Sequence, residues 1–414
     1  MQTALSAEFA GTDAGREADA ILRKCVHCGF CTATCPTYQL LGDELDGPRG
    51  RIYLMKQVLE GETPTRATQV HLDRCLTCLN CETTCPSGVE YGRLVEIGRS
   101  IVDAKVPRPL PERAVRLALK EGLTSPAFAP AIAVGRAVRP LLPKTLRGKV
   151  PGARPARSDR WPTRRHARRM LLLAGCVQPS LAPNINSATA RLLDACGIET
   201  VVAAEAGCCG AIRLHLNDLD GAREHMRRNI DAWWPQVAAG SVEAIVMNAS
   251  GCGATVKDYG HALADDPAYA DKAARIAARV RDVTELLPDL VPALKSRLGE
   301  RLPGGVPKRL AFHPPCTLQH WQRIVRVLEP ALGALGFEVH LAAGESHLCC
   351  GSAGTYSVLQ PELATRLRDR KLAQLEQAEP EAIVSANIGC IQHLQSGTGT
   401  PVRHWVEVLD DALA

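Results

Sequence analysis

Two periods of apolar residues alternate along the chain. In "PRGRIYLMKQVLEG" (48–61), Ile52, Met55 and Leu59 fall at i, i+3 and i+7, one face of an α-helix. Pro48 suits its first turn and Gly61 its stop. A second helix is expected at about 92–105. From residue 168 the pattern changes to short, continuous apolar runs: "RRMLLLAGC", "IETVVAAEAGCCG" and "EAIVMNASGC", then "KRLAFHPPC", "FEVHLAAGESHLCCG" and "EAIVSANIGC". Each reads as a buried strand. Between them lie amphipathic stretches at 184–197, 218–237 and 361–376, and another after Cys316. Strands alternating with helices predict parallel α/β sheets, whose ligands sit beyond the carboxyl ends of the strands. Every one of these runs leads into cysteine.

The runs form an internal repeat. Cys176 to Cys208 is 32 residues and Cys316 to Cys349 is 33; Cys209 to Cys252 is 43 and Cys350 to Cys390 is 40. An earlier repeat is of another kind. "CVHCGFCTATCP" (25–36) recurs as "CLTCLNCETTCP" (75–86), with helices between and after. Four parts are therefore expected: a mainly helical module at 1–105, a linker at 106–168, and α/β halves at 169–300 and 301–414.

At 414 residues the chain is long enough for two or three domains. Aromatics make up 4%, so Ala, Leu, Val and Ile must build the cores. The formal charge of +5 is uneven: residues 101–169 hold 17 Lys+Arg against 4 Asp+Glu. That stretch is Pro-rich and has no interleaved aromatics, so it reads as a solvated linker with some helix near 111–122, not as a nucleic-acid surface. Docking to an acidic partner or to lipid headgroups is its alternative. The N-terminus lacks a basic start and apolar run, and no window of about 18 apolar residues occurs. A cytoplasmic chain is expected, where thiols stay reduced; its 17 cysteines then point to metal or catalysis rather than disulfides.

C-x2-C-x2-C-x3-C-P is specific. Three thiolates two residues apart can wrap one face of an iron–sulfur cube, and the fourth, before a proline, ligates the other cluster in two-cluster proteins with this spacing. Crossed ligation is expected: Cys25, Cys28, Cys31 and Cys85 on one [4Fe–4S] cluster, and Cys75, Cys78, Cys81 and Cys35 on a second. Zinc, which favours paired CxxC, explains the triplets poorly. Thr32, Thr34, Thr77, Thr83 and Thr84 could donate to sulfur or be ordinary loop residues. The later repeats offer Cys176, Cys208, Cys209 and Cys252, then Cys316, Cys349, Cys350 and Cys390. Each set suffices for one further cluster or metal, and a glycine after each pair allows a tight turn. A buried structural thiol is the alternative for individual members. Cys196 has no counterpart and reads as core. His27, His71, His215 and His261 read as surface or packing residues; His313 and His347 lie near second-repeat cysteines, with ligation by either as the lesser alternative. No nucleotide, flavin or acid–base motif appears, and no catalytic residue is assigned.

These motifs, with "GDELDGPRGRIYLMKQVLEG", "HLDRCLTCLNCETTCPSGV", "AEAGCCG", "NIDAWWP", "SGCGATVKDYG", "SHLCCGSAGTY" and "ANIGC", resemble the iron–sulfur subunits of flavin-linked 2-hydroxy-acid dehydrogenases, the glycolate oxidase branch in particular. The resemblance covers nearly the whole chain and is weakest at 106–168. It implies a ferredoxin-like helical domain followed by two CCG domains with parallel sheets. It also implies an electron-transfer role beside two FAD-binding subunits that oxidise glycolate to glyoxylate, with FAD only on those partners. A membrane quinone or other acceptor, and peripheral association with the inner membrane, follow in the same way. The cysteine motifs alone also fit lactate or glycerol-3-phosphate dehydrogenase subunits, or a CCG-based disulfide reductase. Some of those relatives carry a further cysteine where this chain has Thr255 and His393. A five-thiolate cluster is therefore not expected, which leaves a four-thiolate site, another metal or no metal.

Overall fold

The computed structural model describes residues 1–141, 152, 157–299 and 302–414. The first hundred residues are helical. Asp13–Lys24, Pro48–Leu59, Arg66–Asp73 and Tyr91–Lys105 pack around Leu22, Ile52, Met55, Leu59, Leu94 and Val95. The helices expected at 48–61 and 92–105 are present as Pro48–Leu59 and Tyr91–Lys105. The cysteine runs occupy the loops between. His27 and Gly29 in the first loop, and Thr77 and Leu79 in the second, share left-handed backbone at φ 56°, 84°, 52° and 59°. Two reversals in five residues coil each loop so that successive cysteines turn to one side.

Residues 106–168 hold more structure than a linker. Helices Leu110–Thr124 and Phe128–Val138 run through it. Their cations find partners within the chain. Arg108 pairs with Asp73 at 2.6 Å, Arg116 reaches the same carboxylate at 3.3 Å, and Lys120 meets Asp218 at 3.2 Å. Much of the positive charge read as a solvated strip thus tethers this segment to its neighbours. The basic run's residues 142–151 and 153–156 lie outside the described residues.

Two four-stranded parallel sheets follow. Strands β1 (Arg168–Leu172), β2 (Ile198–Val201), β3 (Ile245–Met247) and β4 (Val280–Asp282) lie in the order β2-β1-β3-β4. Strands β5 (Arg309–Phe312), β6 (Glu338–Leu341), β7 (Ala382–Ser385) and β8 (Val402–His404) repeat it as β6-β5-β7-β8. In both sheets the chain moves outward in opposite directions from the central pair, Leu171 opposite Ile245 and Ala311 opposite Ile383. That is a topological switch point, where a crevice opens at the strands' carboxyl ends. Cys176 and Cys252 follow the central strands of one sheet, Cys316 and Cys390 those of the other.

The fourth strand of each half was not foreseen. Each is three residues long and too short to show a period. The cue lies in a repeat: "VRDVTELL" and "VRHWVEVL" each place a strand, a cap at Asp282 or His404, and a helix. The halves are not independent. One apolar cluster joins Leu172, Leu192 and Leu287 to Leu328, Leu332, Trp405 and Leu409. Arg191 reaches the buried Asp410 at 2.7 Å across the same seam.

The glycines after the paired cysteines are both left-handed, Gly210 at φ 97° and Gly351 at φ 92°. A methyl on Gly351 would meet the Ala364 carbonyl oxygen at 2.6 Å, whereas on Gly210 it would meet that of Ala222 at 3.2 Å. Gly351→Ala is therefore expected to destabilise the chain by about 3 kcal/mol and Gly210→Ala by roughly half that. Urea unfolding of the two full-length variants checks this, and the reverse order would contradict it.

Candidate cluster and metal sites

The two N-terminal loops enclose two adjoining cavities. One is lined by Cys25, Cys28, Cys31 and Cys85, with His27, Arg49 and Pro86. The other is lined by Cys35, Cys75, Cys78 and Cys81, with Arg51 and Leu76. Pro48, Cys81 and Tyr91 border both. Cys35 thus leaves its own run for the second cavity, and Cys85 leaves its own for the first. The proline after each turns the chain. Pro36 starts helix Pro36–Leu41, and Pro86 lines the first cavity.

The cavities differ in exposure. Cys28 is exposed, with Val26 and Phe30 beside it at 67% and 61% exposure. Cys75, Cys78 and Cys81 are all buried. Burial and the neighbouring thiols push Cys31 up to about 11, and burial raises Cys78 and Cys81 well above the ordinary thiol value. Cys75 moves the other way. Burial acts to raise it, but Arg51, Arg99 and a hydrogen bond from Tyr91 together hold it below the usual range. The Tyr91 hydroxyl donates to Cys75 Sγ at 3.5 Å and the Thr77 amide at 3.4 Å. Cys35 Sγ and Thr37 Oγ1 lie 3.3 Å apart.

Sequence reasoning missed this cation. Arg51 is 1% exposed and bonds His71 O, Thr37 Oγ1 and Asp46. Its one cue was its place a turn before Met55 on the helix's apolar face. Of the two readings open for the threonines, three hydroxyls take that of ordinary loop residues. Thr32, Thr34 and Thr83 bond the carbonyls of Gly29, Cys31 and Asn80, because each sits in a short helical turn that presents a carbonyl three residues back.

In the first α/β half, Cys176, Cys208, Cys209 and Cys252 form one contiguous set. Its neighbours Cys176, Cys209 and His225 hold Cys208 low, while Cys176 is raised by Cys208 and burial, and Cys209 by Cys208, Cys252 and burial. The Gly210 amide bonds Cys208 Sγ at 3.4 Å. The second half repeats this with Gly351 and Cys349 at 3.4 Å, and Cys316 Sγ lies 3.9 Å from Cys349 Sγ. Cys350 neighbours both Cys349 and Cys390, and the Asn387 amide donates to Cys390 Sγ at 3.6 Å. Lys371, 2% exposed, faces Cys349 and Cys350; burial lowers it to about 8 against the pull of those sulfurs. Cys196 packs against the shared core, away from these sets.

The second cysteine loop is docked on the second half. Trp321 Nε1 donates to Thr77 O at 2.9 Å, His320 Nδ1 meets Thr83 Oγ1 at 2.9 Å, and Tyr356 donates to Arg74 O at 3.1 Å. Cys78, Cys316 and Cys349 share one apolar cluster there. The second cavity therefore borders the second-half thiols directly.

A 4Fe-4S dicluster domain matches residues 21–89, and a cysteine-rich CCG domain matches 170–257 and 310–395. The chain is similar to the glycolate oxidase iron-sulfur subunit of Escherichia coli, 55% identical over 100% of this chain and 99% of that one. It is similar to the probable glycolate oxidase iron-sulfur subunit of Bacillus subtilis, 30% identical over 91% and 89%. Lactate utilization protein A of Geobacillus thermodenitrificans is 26% identical over 58% of this chain and 97% of its own length.

Arg51→Met removes the buried cation and leaves Asp46 beside the thiols. It is expected to cost about 3–5 kcal/mol. Chemical unfolding of the full chain measures this, and a loss under about 1 kcal/mol would mean the cation is dispensable.

Proposed function

The chain belongs to the family of glycolate oxidase iron–sulfur subunits, and from that premise we propose that it is the electron-relaying subunit of a flavin-linked glycolate dehydrogenase. Cys25, Cys28, Cys31 and Cys85 would hold one [4Fe–4S] cluster, and Cys75, Cys78, Cys81 and Cys35 the second. The observation that carries this reading is the pair of adjoining thiol-lined cavities, each taking its fourth cysteine from the other loop. Such clusters supply reversible one-electron transfer, which a two-electron flavin needs from its partner. The protein's own contribution is electrostatic. Arg51, Arg99 and the Tyr91 hydroxyl surround Cys75 and favour added negative charge there.

Oxidation of glycolate to glyoxylate falls to two FAD-binding partner subunits, and a membrane quinone or other acceptor takes the electrons. No helix among the described residues is long and apolar enough to cross a membrane. On this reading the complex lies in the cytoplasm, peripheral to the inner membrane. The division of labour follows the segments 1–105, 106–168, 169–300 and 301–414. The sets at Cys176, Cys208, Cys209 and Cys252, and at Cys316, Cys349, Cys350 and Cys390, carry an additional cluster or metal. Full-length similarity to a glycolate subunit, against 58% coverage by a lactate utilization protein, favours glycolate.

Anaerobic co-purification with its genomic neighbours tests the proposal. Bound FAD, about eight iron and eight sulfide in the N-terminal sites, and clusters reduced on adding glycolate are expected. Reduction by lactate or glycerol 3-phosphate instead would assign a sister complex, and thiol–disulfide turnover a reductase. Cys35→Ser is expected to alter the paramagnetic signal of the second site, and Cys85→Ser that of the first. If each variant alters the signal of its own run, crossed ligation is wrong.

A further inference from the structure

We propose that His313, Cys350 and Cys390 form a mononuclear site for a divalent metal of the zinc class, separate from the iron–sulfur clusters. One ring nitrogen of His313 and the two sulfurs lie within 4.8 Å of one another. All three residues are buried, at 0%, 0% and 4% exposure. Among the described residues one other three-donor set is as compact, Asp43, Asp46 and His71, and Arg51 and Arg74 already satisfy its central carboxylate.

The second observation concerns His313 itself. Neither ring nitrogen has a hydrogen-bond partner, although the ring is wholly enclosed. A buried imidazole with two idle nitrogens loses its hydration for no return. A metal bond would repay it. The backbone on either side fixes the residue in place. Its amide donates to Val384 O at 2.8 Å, and Ser385 Oγ donates to its carbonyl at 2.9 Å. The ring is thus held at the carboxyl ends of β5 and β7, over the crevice of that sheet.

The chemistry selects the metal. One imidazole and two thiolates suit zinc, and a divalent ion with two thiolates and a neutral ring has no net charge to bury. The first half lacks the nitrogen: its residue at the position of His313, three before Cys176, is Leu173. The two halves, alike in cysteine spacing, are therefore unlike in what they bind.

This inference rests on the reading that the cysteine-rich halves carry metal, and it is tested on the full chain purified anaerobically with zinc supplied. Beside about eight iron in the N-terminal sites, the wild type is expected to hold one zinc that depends on His313. His313→Leu, which copies the first half, should lose that zinc with iron and sulfide unchanged. His313→Cys, which restores a donor, should keep it. Cobalt loaded in place of zinc should give sulfur-to-metal charge-transfer absorption in the wild type and in His313→Cys, and none in His313→Leu. Zinc retained by His313→Leu would overturn the site while leaving metal in the cysteine-rich halves intact. A wild type with no metal beyond the eight iron would overturn both.

Discussion

Sulfur that carries charge cannot be buried without compensation, and the arrangement of this chain follows from that constraint. The cysteines of the second N-terminal loop lie in the interior, where a thiolate without a cation or donor is strongly disfavoured. Arg51 crosses the helical core to reach them, and Arg99 and Tyr91 close the other sides. These groups are costly to bury alone and are stable only together. The helical module is therefore organised as much by charge matching as by its apolar stripe.

Topology places the remaining thiols. A parallel sheet wound outward from its central strands opens a crevice at their carboxyl ends, and the chain puts a cysteine after both central strands and a pair after the flanking one. Duplication then gives two such crevices. Because the halves share an apolar core and the Arg191–Asp410 bridge, they form one body. The second cysteine loop rests on one of them through Trp321, His320 and Tyr356. The duplicated halves consequently differ in surroundings: one borders the N-terminal thiols and the other does not.

Much of this was legible in the chain. Repeated triplet spacing marked the N-terminal loops, continuous apolar runs marked six of eight strands, and cysteine intervals marked the duplication. What escaped did so for physical reasons. Strands of three residues carry no period. Arg51 and Lys371 look like surface residues on amphipathic helices until the fold turns those faces inward. His313 sits before two prolines in "AFHPPC", where nothing local tells a packed ring from a donor. The cations of 106–168 looked solvated because their partners lie far off in sequence: Asp73 for Arg108 and Arg116, Asp218 for Lys120, and Asp410 for Arg157.

The unequal depth of the two cavities bears on how the protein ages in air. Dioxygen and its reduced forms diffuse in from the solvent, and the corner held by Cys28 between Val26 and Phe30 is the first sulfur they meet. The interior set around Cys78 and Cys81 is screened by the docked second half. Oxidative bleaching should accordingly run in two phases, with the outer centre lost first. The inner one would survive for as long as the seam at Trp321 stays closed.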